Sequence, residues 1–253
     1  MDLKTNALAI LEALESRDVA TLTRLIDDRY VQHNPQVPDG LSGLLGLLDA
    51  LPPGELQVRP VRVFQDGEYV FVHSEYVLGG PKVGFDIFRF ENGRAVEHWD
   101  NLQARPESPN PSGRTMLDGP VAVGQPERTE ANRQLVRDFV HRVLIGGELD
   151  ALPEFIAGER YAQHNPEIAD GLSGLQAAFQ ALAEAGLEIR YTRNHLVLAE
   201  GDFVLAVSEG RFGDRHVAFY DLFRVEDGYL VEHWDVIAEI PPRSEWANPN
   251  GKF

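Results

Sequence analysis

No cysteine occurs in this chain, which excludes disulfides, thiolate nucleophiles and cysteine metal sites. Lysine is scarce as well: Lys4, Lys82 and Lys252 are the only ones among 23 basic residues, and arginine carries the rest of the positive charge. Acids outnumber bases 40 to 23, for a net charge of −17. Such a surface repels phosphate backbones, so nucleic acid is not an expected partner. No apolar run reaches the roughly 18 residues that a membrane span requires, and no membrane partner is expected. The start, MDLKTNALAILEALESRDVA, has helical periodicity with acids inside it. A signal peptide would show a basic flank and an unbroken apolar core, so the expected compartment is the cytoplasm. There is no G-x-S-x-G elbow, so covalent acyl chemistry has no evident nucleophile.

What is present is written twice. RYVQHNPQVPDGLSGL at 29–44 returns as RYAQHNPEIADGLSGL at 160–175, and 11 of the 15 positions after the arginine are identical. DIFRFENGRAVEHWD at 86–100 returns as DLFRVEDGYLVEHWD at 221–235, with 10 of 15 identical. A weaker echo joins NPSGRTM, from Asn110, to NPNGKF, from Asn248. A period of this length is too long for a solenoid and marks tandem domains, here 1–119 and 120–253. In each half amphipathic helices come first: 5–15 and 18–28, then 130–144 and 149–156. Asp39-Gly40 and Asp170-Gly171 begin a third helical run. Four strand-like stretches follow in each half, separated by Gly-containing turns such as Asn92-Gly93 and Asp227-Gly228. Helices followed by a strand meander predict an α+β fold with an antiparallel sheet, and Pro/Gly/Ser-rich residues 104–126 read as the linker.

Strand side chains alternate between faces, so His98 and Asp100 share one face while Glu97 and Trp99 share the other; His233 and Asp235 repeat this. Asp86 and Asp221 lie on the preceding strands beside Phe and Val. A three-residue loop at 91–93 would set Asp86 opposite His98, and a two-residue Asn-Gly loop would set it opposite Trp99; the first is preferred. Two carboxylates and an imidazole then converge among apolar side chains, where burial and mutual repulsion keep a carboxyl protonated. Asp100, Asp235, Asp86, Asp221, His98 and His233 are therefore the candidate catalytic residues for proton transfer. Each has a plainer alternative, as a partner for strand N–H groups, arginine or a neighbouring side chain. Pro after Asn ends the second helical region, which leaves His33, Asn34, His164 and Asn165 in a loop, either holding the turn or lining a pocket. His73 has no counterpart in the second half, where His195 and His216 occur instead; it joins the candidate substrate-binding residues with Trp99 and Trp234, which could equally be core packing. Metal is not expected: His33, His98 and Asp100 are suitable ligand types, but their spacing matches no recognised pattern.

YVQHNPQVPDG and YAQHNPEIADG, each followed by an EHWD block, resemble the SnoaL-like polyketide cyclase family of the nuclear-transport-factor-2-like superfamily. NPSGRTMLDGP resembles the tail that often closes its single-domain members. The resemblance covers most of both halves. It implies two cone-shaped α+β barrels, each a curved antiparallel sheet wrapped around helices with a pocket at its open end. The family's cyclases close a ring by intramolecular aldol condensation, without metal or cofactor, using a pocket Asp. By position in HWD that residue corresponds to Asp100 and Asp235. Where the cyclases carry a pocket His, this chain has Asp86 and Asp221. Other members of the superfamily isomerise ketosteroids, dehydrate, or hydrolyse epoxides. The expected function is cofactor-independent acid/base chemistry on a small hydrophobic carbonyl or cyclic molecule; the alternative is non-catalytic binding of such a molecule. Single-domain relatives usually pair through the outer sheet face, so the halves are expected to form an intramolecular pseudo-dimer and the chain to be monomeric in light scattering.

Overall fold

A computed structural model describes residues 2–253. The chain forms two compact units, residues 1–104 with 240–253 and residues 105–239. The sequence places the boundary at 119/120; the units divide instead at 104/105 and 239/240. Each unit includes a tail that in the chain directly follows the last strand of the other unit.

In the first unit α1 (Leu3–Ser16) and α2 (Val19–Leu25) precede β1 (Ile26–Gln32), α3 (Gly40–Ala50) and the meander β2 (Gln57–Asp66), β3 (Tyr69–Val77), β4 (Pro81–Glu91), β5 (Arg94–Ala104). The sheet order is β1-β5-β4-β3-β2, with β1 parallel to β5 and the rest antiparallel. Asp18 caps α2 by accepting the Thr21 N–H. The helix expected over 18–28 ends at Leu25, because Ile26 is already extended and pairs with Ala95.

The second unit repeats this with α4 (Thr129–Phe139), a π-helical turn (Val140–Ile145), α5 (Leu152–Phe155), β6 (Ala162–Gln163), α6 (Gly171–Glu184), β7 (Ile189–Glu200), β8 (Phe203–Phe212), β9 (Arg215–Glu226) and β10 (Tyr229–Glu239). Its order is β6-β10-β9-β8-β7, again with one parallel edge pair. The α+β class and the four meander strands of each half are as the sequence implies. The stretch expected as one helix over 130–144 changes to π geometry at Val140, where the Gly146 N–H reaches back to His141 O.

Residues 104–126 are not a free linker. Asn110 and Met116 are buried, and Asn110 Nδ2 donates to the carbonyls of Gln163 (2.6 Å), Ile168 (3.0 Å) and Asn165 (3.3 Å). In the first unit Asn248 Nδ2 does the same for Asn34 O (2.8 Å) and Val37 O (2.9 Å). The tail echo in the sequence is thus a repeated clamp on the Q-H-N-P loop.

Candidate active site

The β4–β5 turn decides which side chains meet. Asn92 and Gly93 have φ of 52° and 80°, as do Asp227 and Gly228 within a degree, at 53° and 80°. Both are two-residue turns with two left-handed positions, which Asn-Gly and Asp-Gly tolerate. Glu91 faces Arg94, and a bulge at Val96 then shifts the register so that Asp86 faces Asp100 and Phe88 faces His98. The second unit sets Asp221 opposite Asp235 in the same way. The expected three-residue loop and its Asp86–His98 pairing are therefore incorrect. The bulge nevertheless restores the expected convergence: both carboxylates and the imidazole share the inner, concave face.

The hydrogen bonds define the proton arrangement. In the first unit Gln32 Oε1 accepts the Asn34 N–H (2.8 Å) and the His98 Nδ1–H (3.1 Å). Nε2 of His98 is thereby aimed at Asp86 Oδ1, 3.2 Å away. Tyr76 donates its phenol to Asp86 Oδ2, and Asn34 Nδ2 donates to Asp100 Oδ2 at 2.7 Å. The second unit matches: Gln163 Oε1 fixes His233 Nδ1 (3.0 Å), His233 Nε2 meets Asp221 Oδ1 (3.2 Å), and Asn165 Nδ2 donates to Asp235 Oδ2 (2.6 Å). Asn34 and Asn165 do both things left open for them, since their Oδ1 atoms also close the loop on Gln36 N and Glu167 N.

The remaining expected residues lie on the other sheet face. His33 stacks on Trp99 (4.7 Å) and bonds Glu97, while His164 stacks on Trp234 (4.6 Å) and bonds Glu232. Arg89 and Arg224 complete these clamps. His73 stacks on Phe85 at 4.4 Å and accepts from the buried Arg62, again facing away from Asp86. These five residues do not line the concave face, because each sits one position out of phase with it. Burial would push the Glu232 carboxyl up, but hydrogen bonds from His164 and Arg224 hold it below its ordinary value. A depressed carboxyl adds stability that is complete above the ordinary value of 4.5 and is lost as pH falls below it. Urea unfolding between pH 3 and 6 is expected to show this acid limb in the wild type and a flatter one in Glu232→Gln.

Three groups at the site were not legible as candidates: the glutamines Gln32 and Gln163, the phenols Tyr76 and Tyr191, and Lys252. Period-two alternation carried back from Asn34 and Asn165 would have found the glutamines. The phenols come from different strands. Tyr76 is on β3, opposite Val58 of β2. In the second unit that cross-strand pair is Gly210 on β8 and Tyr191 on β7, and Tyr191 O–H donates to Asp221 at 3.2–3.3 Å. A side chain at Gly210 would collide with Arg190 O at 2.1 Å and the Phe219 ring at 2.9 Å, so the phenol reaches Asp221 from the neighbouring strand.

The concave face of the second unit encloses a cavity of about 80 Å³ against Phe139, Leu175, Phe179, Phe223 and Ile237, with Asp221, His233 and Asp235 at its floor. It shares Leu144, Phe179, Ile189 and Tyr191 with a groove of about 470 Å³ that opens along the π-helical turn and the end of α6. Burial raises the Asp235 carboxyl above its ordinary value; His233 opposes the shift and the charge on Asp221 adds to it. Asp221, His233 and Asp235 also present donor atoms all within 4.8 Å of one another, types that suit a divalent cation.

Two SnoaL-like domain matches, at residues 7–98 and 136–233, fall one on each unit. The chain belongs to the SnoaL-like domain family and carries the domain twice. Solved structures similar to it include a candidate polyketide cyclase from Streptomyces antibioticus, at 22% identity over 41% of this chain and 93% of that one, with a TM-score of 0.37. An LEH-like epoxide hydrolase from M. tuberculosis is 21% identical over 40% of this chain and 82% of its own, with a TM-score of 0.35. A candidate ketosteroid isomerase from Kribbella flavida is 22% identical over 48% and 90%, with a TM-score of 0.38. No curated protein matches the chain. No described helix is long and apolar enough to cross a membrane.

Proposed function

We propose that this protein is a cofactor-independent acid/base enzyme that moves a proton at the carbon next to a carbonyl in a small hydrophobic molecule. The observation that carries this reading is the buried Asp235 carboxyl, raised by its surroundings and facing an apolar cavity. A carboxylate with a raised pKa is a stronger base, and one titrating nearer to neutrality is more effective in general acid/base catalysis. Asn165 holds Oδ2, which leaves Oδ1 to take the proton from carbon. The negative charge that develops on the carbonyl oxygen needs a donor in the cavity, and the Gln163 amide is such a group. Aldol ring closure and double-bond isomerisation both begin with this enolisation.

The volumes bear on the substrate's shape. Pockets for drug-sized ligands run to about 300–1,000 Å³, a range the groove meets and the inner cavity does not. The reacting head therefore enters the cavity, and the apolar body lies in the groove. 2-Tetralone, a bicyclic ketone with acidic α-protons, is a suitable probe. The protein in D₂O is expected to exchange those protons for deuterium faster than buffer alone, read by ¹H NMR; exchange at the buffer rate would refute the reading. Ile189→Trp fills the neck between groove and cavity and is expected to slow the exchange at least about 10-fold, the effect of a misplaced or excluded reactant.

A further inference from the structure

We propose that the second unit holds the single working site of the chain, and that Lys252 closes the first by neutralising Asp100 from inside the fold. This inference rests on the acid/base reading above and assigns it to one of two similar cones. Three independent differences between the units support it.

The first is hydrogen-bond completion. In the first unit Gln32 Nε2 donates to Tyr30 OH at 3.3 Å. In the second unit the corresponding atom, Gln163 Nε2, is buried and has no partner, although the residue lines the cavity. The Oδ1 atoms of both Asp100 and Asp235 accept no hydrogen bond. An unmatched donor and an unmatched acceptor thus face one cavity, in the second unit only. Leaving buried polar groups unpaired costs stability, and these two line a cavity that can admit a partner for both. The ligand that completes these two accepts from Gln163 and gives a proton or hydrogen bond to Asp235, as an enolisable ketone does.

The second difference is charge. Lys252 Nζ lies 3.6 Å from Asp100 Oδ1 and donates to the Asp100 backbone carbonyl, with its side chain only 9% exposed. The tail repeat aligns Arg114 with Lys252, yet Arg114 pairs with Asp170 at 2.9 Å and leaves Asp235 alone. Around Asp100 stand Asp86 from β4, His98 from β5, Tyr76 from β3, Tyr30 from β1 and the Lys252 ammonium. Around Asp235 stand Asp221 from β9, His233 from β10, and Tyr191 and Tyr161, without lysine or arginine. Burial pulls the Lys252 amine below its ordinary value and the charge on Asp100 opposes that shift, so the two form a buried ion pair that has no counterpart at Asp235.

The third is the covering helix. α3 buries Leu41, Leu44 and Leu48 into a core that includes Val58, Tyr76 and Phe88. α6 buries only Gly171 and Leu175, and Phe179 remains partly buried at the cavity wall.

The test is a pH titration of the chain labelled with ¹³C at aspartate Cγ, read by NMR. Burial also raises the Asp202 carboxyl, outside either site, and Asp202→Asn identifies its signal. Among Asp86, Asp100, Asp221 and Asp235, one carboxyl is expected to protonate well above the usual aspartate range, to vanish in Asp235→Asn, and to be joined by a second in Lys252→Met. Two such carboxyls in the wild type, the second lost in Asp100→Asn, would overturn the division of labour and leave the acid/base reading intact. No raised carboxyl at all would defeat both. If Lys252→Met does not fold, the number of raised carboxyls among these four in the wild type still decides the question.

Discussion

Asp235→Asn is expected to slow the α-proton exchange of 2-tetralone by about 10²–10⁴-fold, the contribution of a positioned general base. Asparagine keeps the shape of the side chain and can still accept the Asn165 amide, so the fold should survive the change. The stability of this variant follows from the direction of the Asp235 shift. Burial raises the carboxyl, so between its ordinary value of 3.8 and the raised one the folded state holds a proton that the unfolded state releases. Wild-type stability therefore declines as pH rises through that window, and the deficit persists above it. Asparagine has no such cost. Melting curves at pH 8 are expected to place Asp235→Asn at or above the wild type while its exchange activity is lost. A variant that loses activity and melts early at both pH 4 and pH 8 would point to a structural role for Asp235 instead.

Asn110→Ala is expected to destabilise the second unit by about 2–4 kcal/mol, and Asn248→Ala to do the same for the first. Asn110 supplies three Nδ2 hydrogen bonds to loop carbonyls, and its Oδ1 accepts from Ser112 N and Arg114 N. Each net hydrogen bond is worth about 1 kcal/mol, and buried carbonyls left bare add their desolvation cost. The Q-H-N-P loop that Asn110 clamps carries Asn165, which orients Asp235. Asn110→Ala should therefore lower exchange activity as well as stability, whereas Asn248→Ala should lower the stability of the first unit alone. Calorimetry that resolves the two units would check this assignment. The same clamps predict that a fragment of residues 105–239 folds, since it carries its own tail. A fragment of 120–253 lacks Asn110 and the Asp118 carbonyl that accepts Trp234 Nε1, and should be far less stable.

Much of the fold follows from local patterns. Alternation in VGFDIFRF and RAVEHWD places Asp86, His98 and Asp100 on one face, and the structure brings them together there. What escaped was non-local. The bulge at Val96 has no sequence signal of its own, so the facing partner of Asp86 could not be read off the turn. His33 and Trp99 look like site residues because they are polar or aromatic and repeated. They repeat because His33 stacks on Trp99 and bonds Glu97, a clamp needed in both units. The short strand β1 was hidden because its pairing with β5 is parallel and distant in sequence. Lys252 lies 152 positions from Asp100, and no spacing rule links them. The duplication was visible at once, but the inequality of its two sites depends on single differences: lysine against arginine in the tail, and a phenol moved by one strand.

The most direct test of the account is a crystal structure with 2-naphthol, an aromatic mimic of the enol of 2-tetralone. The account places its oxygen within hydrogen-bond reach of Gln163 Nε2 and its C1, the counterpart of the ketone's α-carbon, against Asp235 Oδ1, with the rings toward Phe179 and Ile189. Naphthol bound against Asp100 in the first unit, or a second unit left empty at saturating ligand, would contradict it.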